Sequence, residues 1–399
     1  MFETITPGES DKILALMGVF RADPRPEKVD LVVGVYKDAE GRVPVMRAVK
    51  AAEARLQAEE DSKTYVGIAG DAAFCGHVGR FLLGDDAPQL QDRVATLQTV
   101  GGSAALRVGC DLLASLREGQ RIWVGTPTWA NHVPVAQAAG LEVREHPYFR
   151  AEDRGLDFDG MVATLEAEAE PGDAIILHGC CHNPTGVDMS LAQWRALTDL
   201  VLAKGLIPFV DCAYQGLGDG LEADVEGLRH MAGQVPEMLI ASSYSKNFAL
   251  YRERTGALTI QAATPDALAA AFAATEAVIR PNYSMPPSHG ARVVTTILGD
   301  DGLRSDWRAE LDEMRARIAE MRRALRAKLE ERQVSADLSF LTQQVGMFSY
   351  TGFTPADVDR LRDGYGIYIA GDGRINVAGL SPGTLDHVAD GFAECLRRA

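Results

Sequence analysis

The sequence predicts an α/β fold: a mostly parallel central sheet sandwiched by helices, with a smaller α/β domain attached. Three observations predict it. Short β-branched runs alternate with stretches of helical periodicity, the pattern of a largely parallel sheet covered on both faces. A stretch from about 303 to 333, LRSDWRAELDEMRARIAEMRRALRAKLEERQ, is rich in Ala, Leu, Glu and Arg at helical spacing and reads as one long helix leading to a second domain. The 399 residues, 46% of them apolar, are enough for a large core and two domains.

In chain order the strands read as ATLQTV (95–100), RIWVG (121–125), DAIILHG (173–179), LIPFVD (206–211), MLIASSY (238–244) and GALTI (256–260). ATLQTV runs straight into helical GGSAALRVGCDLLASL, and RIWVG precedes a turn and HVPVAQAAG. After the long helix, GMFSYTG, RINVAG and a last helix from about Ser381 complete the smaller domain, on which the proline-containing N-terminal segment is expected to pack. This division gives a large domain over 36–310 and a small one over 1–35 and 311–399. The sequence contains no internal repeat or low-complexity tract. In such sheets ligands sit at the carboxyl ends of the strands. Ser103, Trp129, Asn183, Asp211 and Lys246 each fall just after a predicted strand.

Charge narrows the function. Lys and Arg total 40 against 56 Asp and Glu, a net charge of −16. Such a surface argues against wrapping nucleic acid or lying on an anionic membrane, while leaving room for a local cationic pocket. The opening MFETITPGESDKILALMG lacks the basic and apolar regions of an export signal, and no apolar run is long enough to cross a bilayer. Six cysteines at irregular spacing fit free thiols in a reducing, cytoplasmic setting better than a disulfide framework.

The stretch SSYSKNFALYRERTG (242–256) sets Lys246 among serines, tyrosines and arginines. A nearby cation such as Arg254 disfavours the protonated amine, and a neutral amine is a nucleophile. In FVDCAYQG, Asp211 ends an apolar strand and Tyr214 follows three residues on; taken alone, such an Asp is an ordinary turn or cap residue. HGCCHNPTG (178–186) superficially suggests a metal site. Adjacent Cys180 and Cys181 on a strand would point to opposite faces, however, and the sequence offers no second ligand cluster, so no metal is expected. Its Asn183-Pro184-Thr185-Gly186 reads as a tight turn that aims an amide into a cleft. Gly101, Gly102 and Ser103 between strand and helix offer backbone N–H groups suited to a phosphate, although glycines before helices are common. Arg374 in GDGRINVAG and Arg280 in VIRPNYSMPP are each, alone, ordinary arginines; as a pair they suit two carboxylates.

Together these motifs resemble the class I aminotransferases, pyridoxal-phosphate enzymes of fold type I. The resemblance runs the length of the chain through GVYKD, TYVGIAG, GGSAAL, TWANH, CCHNPTG, DCAYQG, SYSKNFALYRERTG, NYSMPPSHGA, GMFSY and RINVAG, and is strongest to bacterial aromatic-amino-acid aminotransferases, a subfamily shared with aspartate aminotransferases. It implies pyridoxal 5′-phosphate as cofactor and a homodimer with shared active sites. Lys246 then matches the lysine that carries the cofactor and shuttles the proton, and Asp211 the partner of the pyridine nitrogen. Tyr214 and Asn183 match the groups at the phenolic oxygen, while Gly102, Ser103, Ser243 and Arg254 match the phosphate cradle. Tyr65 resembles the tyrosine reaching the phosphate from the other subunit, Trp129 the indole stacked on the ring, and His132 the histidine behind the aspartate. Arg374 matches the clamp for the substrate α-carboxylate, Gly34 a backbone position on the substrate side, and Arg280 the arginine donated across the dimer to a side-chain carboxylate. Ala104, Pro281 and Met285 depart from the pattern, and an apolar Met285 would favour aromatic rings near Arg280.

The implied activity is transamination of aromatic and acidic L-amino acids with 2-oxoglutarate as amino acceptor. A narrow aspartate aminotransferase is the nearest alternative. A lyase or decarboxylase on the same fold is disfavoured by Arg280, since a second carboxylate clamp suits glutamate and 2-oxoglutarate. A cofactor-sensing regulator would need a DNA-binding segment ahead of the fold. Here the aminotransferase-like pattern starts by about Asp11, with no basic helix-turn-helix before it.

Overall fold

A computed structural model of the chain describes residues 2–4, 12–84 and 92–397; Asp11, where the aminotransferase-like pattern begins, lies outside them. The chain divides into two compact units. The larger comprises Pro44–Arg317 and Gln344–Gly346; the smaller comprises Met1–Val43, Ile318–Gln343 and Met347–Ala399.

The larger unit is built on a seven-stranded sheet. Its strands are β1 (Val94–Val100), β2 (Arg121–Thr126), β3 (Glu142–Pro147), β4 (Ala174–His178), β5 (Ile207–Cys212), β6 (Met238–Ser243) and β7 (Thr255–Gln261), in the spatial order β1-β7-β6-β5-β4-β2-β3. The five strands from β6 to β3 are parallel, and β7 runs antiparallel to both neighbours. The pattern of predicted strands lacked β3. Its sequence, EVREHP, carries charges where a buried strand would be apolar, because at the sheet edge most of its side chains face outward.

The apolar runs explain the core. Every residue of β6 and β7 is buried, and Ile122–Val124, Ala174–Leu177 and Phe209–Val210 sit with them. The helix α1 (Gly101–Ala114) lays Ala105, Leu106, Val108 and Leu112 against this layer. Gly109 of α1 lets the Phe209 ring approach: a Cβ there would lie 2.3 Å from Phe209 Cζ. Leu191–Lys204 shows how local sequence sets helix ends. Ser190 and Gln193 form a reciprocal capping box at its start, and Gly205 ends it at φ 66°.

The long helix α2 spans Asp301–Glu331. Trp307, Leu311, Met314, Ile318, Met321, Leu325 and Leu329, at spacings of three or four, form its buried stripe. In the smaller unit, Val29–Asp30 pairs with Ile367–Tyr368, and Phe348–Tyr350 pairs antiparallel with Arg374–Asn376. The final helix begins at Leu385 rather than Ser381, because Ser381 and Thr384 hydrogen-bond each other in a turn ahead of it.

Candidate active site

Strand register assembles the site. His178 pairs with Asp211 and Asp211 with Ala241, so the carboxyl ends of β4, β5 and β6 lie level. There a cleft with about 480 Å³ of space free of protein atoms is lined by Gly102, Ser103, Leu106, Trp129, Asn183, Asp211, Ala213, Tyr214, Ser243, Ser245, Lys246 and Arg254. Nine of the expected residues thus converge in one place. Asp211 lies one residue before the end of β5, and Ser103 is the third residue of α1.

Asp211 is buried and its carboxylate accepts from His132 Nε2 at 3.1 Å. Because a carboxylate only accepts, Nε2 carries a proton, and Nδ1 is hydrogen-bonded to Thr128 Oγ1 at 2.7 Å. The His178 ring lies 5.1 Å from that of His132. Burial opposes ionisation of Asp211, but the His132 hydrogen bond and the charge of Lys246 outweigh it and hold the carboxyl below its ordinary range. Burial, with His132 nearby, pushes His178 down to about 3, so it is neutral in the physiological range.

Lys246 Nζ lies 4.6 Å from the centre of the Tyr214 ring. Burial and the charge of Arg254 lower its pKa to about 8, against an opposing pull from Asp211. The Asn183 amide lies 3.5 Å from the Tyr214 hydroxyl. Trp129 meets the His132 ring edge to face at 5.4 Å.

The floor of the cleft is backbone. Helix α1 starts at Gly101 with no side chain capping its first N–H groups, so these remain available to an anion. The chain passes so closely here that a Cβ on Gly256 would lie 2.4 Å from the Gly101 carbonyl carbon, and one on Gly101 2.5 Å from Arg254 Nη2. The Arg254 guanidinium is fixed by the Tyr251 carbonyl at 3.0 Å and by Ser245 Oγ at 3.5 Å. Uncapped N–H groups, two serines and a fixed guanidinium around space that a glycine Cβ would fill suit a phosphate group.

The remaining expected residues lie elsewhere. Tyr65 is 86% exposed, and Arg280 is exposed with its guanidinium donating to Ser284 Oγ at 2.6 Å; neither lines the cleft. In the smaller unit, Arg374 is buried, donates to the Val32 carbonyl at 2.8 Å and stacks 4.6 Å over the Phe348 ring. Gly34 faces the same ring, and a Cβ there would lie 2.8 Å from Phe348 Cζ.

The two adjacent cysteines lie differently from expectation. Cys180 and Cys181 are not on a strand, since β4 ends at His178. The two thiols and the Asp224 carboxylate come within 4.8 Å of one another, and His132, His178 and Asp211 form a second such group. Asp224 is already engaged, accepting backbone N–H groups of Gly216, Gly218, Asp219 and Gly220. Sequence reasoning also passed over Leu106, Ala213 and Ser245 in the lining and Thr128 behind His132. Their only signal was position within the motifs.

Residues 26–392 match the family described as aminotransferase class I and II. The chain belongs to that family. This aminotransferase is 47% identical to the aspartate aminotransferase of Escherichia coli K12, over 99% of its own length and all of the relative's. It is 46% identical to the aromatic-amino-acid aminotransferase of Paracoccus denitrificans, over 99% of both chains. Its fold superposes on the crystal structure of the aromatic-amino-acid aminotransferase of Burkholderia pseudomallei covalently bound to pyridoxal phosphate, with a TM-score of 0.96, 44% identity and 99% of each chain covered.

Proposed function

We propose that this aminotransferase transfers the α-amino group of aromatic (Phe, Tyr, Trp) and acidic (Asp, Glu) L-amino acids to 2-oxoglutarate by a ping-pong mechanism, using pyridoxal 5′-phosphate. The observation that carries the reading is the convergence of Lys246, Asp211 and Arg254 on one cleft above the uncapped start of α1. Relatives named for aspartate and for aromatic amino acids match the whole chain about equally well, which favours a site serving both.

The cleft fits the cofactor. Gly102, Ser103, Ser243 and Arg254 would hold its phosphate, Asp211 its ring nitrogen, and Tyr214 with Asn183 its phenolic oxygen, with Trp129 against the ring. Bound there, pyridoxal phosphate supplies an aldehyde for the amino group and a ring that accepts electrons as the Cα–H bond breaks. The chain does the rest. Asp211, held ionised by His132, keeps a proton on the group it faces. Lys246, with its lowered pKa, is available as a neutral amine to take the proton from substrate Cα and to give it back elsewhere. Trp129, Leu106 and Ala213 keep water away from that exchange. Arg374 is assigned to the substrate α-carboxylate, with Gly34 nearby, and the stacked, buried guanidinium supports a fixed clamp. The exposed Tyr65 and Arg280 suit donation to a second subunit, Tyr65 toward the phosphate and Arg280 toward a side-chain carboxylate, in a homodimer.

A cytoplasmic setting is part of the proposal: all six cysteines are free, and among the described residues no helix is long and apolar enough to cross a membrane.

Purified holoenzyme mixed with aspartate or phenylalanine and no acceptor tests this. Each chain is expected to release up to one equivalent of oxaloacetate or phenylpyruvate, and Lys246→Ala neither. Release from aspartate alone would reduce the enzyme to a narrow aspartate aminotransferase. Release by Lys246→Ala would remove the central assignment.

A further inference from the structure

We infer that Asp188 is a positioning residue for transamination, its carboxylate clamping the 180–183 turn so that the Asn183 amide meets the Tyr214 hydroxyl. The inference rests on the roles proposed above for Asn183 and Tyr214.

The chain leaves β4 at His178 and must turn sharply to bring Asn183 into the cleft. It does so through Cys181 at φ 51°, the left-handed region. For a residue with a Cβ this costs about 1–2 kcal/mol, so other interactions must hold it. The two N–H groups at the bend both go to Asp188: Cys181 N–H donates to Oδ2 at 2.6 Å and His182 N–H to Oδ1 at 2.8 Å. A carboxylate accepts at both oxygens, whereas an amide of the same shape would set a donor against one of these donors.

The clamp is itself held. Tyr148 stacks on the His182 ring at 3.9 Å and 12°, and its hydroxyl donates to the Val187 carbonyl, next to Asp188, at 2.8 Å. On the far side of the turn, Gly186 N–H donates to the His182 carbonyl at 2.7 Å, and Val345 N–H to the Gly186 carbonyl at 2.7 Å. Among the described residues Asp188 makes no ion pair. Burial, with Asp224 and Asp219 nearby, pushes its pKa up to about 6 against the two N–H donors. A carboxylate in a place that opposes its charge, with backbone N–H donors and no cation, is there for those N–H groups. They belong to the two residues immediately before Asn183.

The test is a pH titration of the bound chromophore in holoenzyme carrying Asp188→Asn, Asn183→Ala or both. A donor lost from an anionic oxygen raises the midpoint of the proton coupled to it. Asn183→Ala should raise it, and Asp188→Asn should raise it by about 0.5–1 unit. The double variant should match Asn183→Ala alone, because Asp188 acts through Asn183. A merely structural Asp188 would lower the melting temperature and leave the midpoint in place, which overturns the inference. So does a shift that persists in the Asn183→Ala background. An unmoved midpoint in Asn183→Ala itself would instead sink the role proposed for Asn183, and this inference with it. If Asp188→Asn does not accumulate, wild-type holoenzyme labelled with 15N-cysteine decides. The Cys181 amide should exchange with solvent as slowly as that of Cys212 in β5, and exchange at the rate of an open loop overturns the clamp.

Discussion

The lowered pKa of Lys246 makes a quantitative prediction. An ordinary lysine titrates at 10.5, and Lys246 is brought down to about 8 by burial and Arg254. A lysine with a depressed pKa is neutral at lower pH, and only the neutral amine is nucleophilic. At pH 7 an ordinary lysine is neutral in roughly 0.03% of molecules and Lys246 in roughly 10%, a ratio of about 300. Competitive acetylation of cofactor-free protein between about pH 6 and 11, in phosphate-free buffer with the Lys246 peptide read by mass spectrometry, should therefore give a midpoint near 8. The perturbation that tests the cause is Asp211→Asn. Asp211 is the neighbour that raises the Lys246 pKa, so its neutral analogue should move the midpoint below that of the wild type. Arg254→Leu removes a cation and should move it up. A wild-type midpoint near 10.5, or an upward move in Asp211→Asn, would refute the electrostatic account of the cleft.

Three further outcomes are expected. Gly256→Ala places a Cβ 2.4 Å from the Gly101 carbonyl carbon and 2.6 Å from Gly102 N, so it must displace the start of α1. Equilibrium dialysis should show pyridoxal phosphate retained at least about tenfold more weakly, or about 1.4 kcal/mol, with the circular dichroism spectrum kept. On the role proposed for Arg280, Arg280→Leu would remove a charge-assisted hydrogen bond to a dicarboxylate, about 1.5–3 kcal/mol, so kcat/KM should fall about 10- to 150-fold further for aspartate than for phenylalanine. Equal losses would show that Arg280 does not read the side chain. Asp173 is fully buried and accepts from Arg117, Arg121, Trp123 Nε1 and the Glu170 N–H. Asp173→Ala should cost about 3–5 kcal/mol, seen as a lower urea midpoint at an unchanged slope.

The six strands read from apolar runs are all present: the four central strands and β7 are largely buried and leave a continuous signal, and β1, at the sheet edge and half-buried, still carries the β-branched run ATLQTV. Edge strand β3 left none, since its charged side chains face outward. Within the cleft, Lys246 and Asp211 were legible because each is a charged residue in an otherwise apolar or hydroxyl-rich segment, and Arg254 because it follows Lys246 closely in the same motif. Ala213, Leu106 and Ser245 were not, because small and apolar residues carry no mark of what they face. The Cys180–Cys181 reading failed for a different reason. Strand geometry was extended two residues past its end, where the chain enters the left-handed turn at Cys181. No composition signal announces a positive φ in a residue that is not glycine.

That turn also shows how the site manages charge within a molecule of net charge −16. The cleft is cationic through only two side chains, Lys246 and Arg254, and much of its attraction for an anion comes from the backbone of α1. Backbone N–H groups do not titrate, so the phosphate end keeps its character while Lys246 is free to change protonation state. At the other end, Asp211 draws its stability as an anion from His132 and Lys246 rather than from solvent. The proton-handling group therefore sits between a fixed donor set and a fixed acceptor. Its pKa of about 8 follows from the balance of burial and Arg254 against Asp211, so a substitution on one side of that balance should move the Lys246 midpoint before it disturbs the fold.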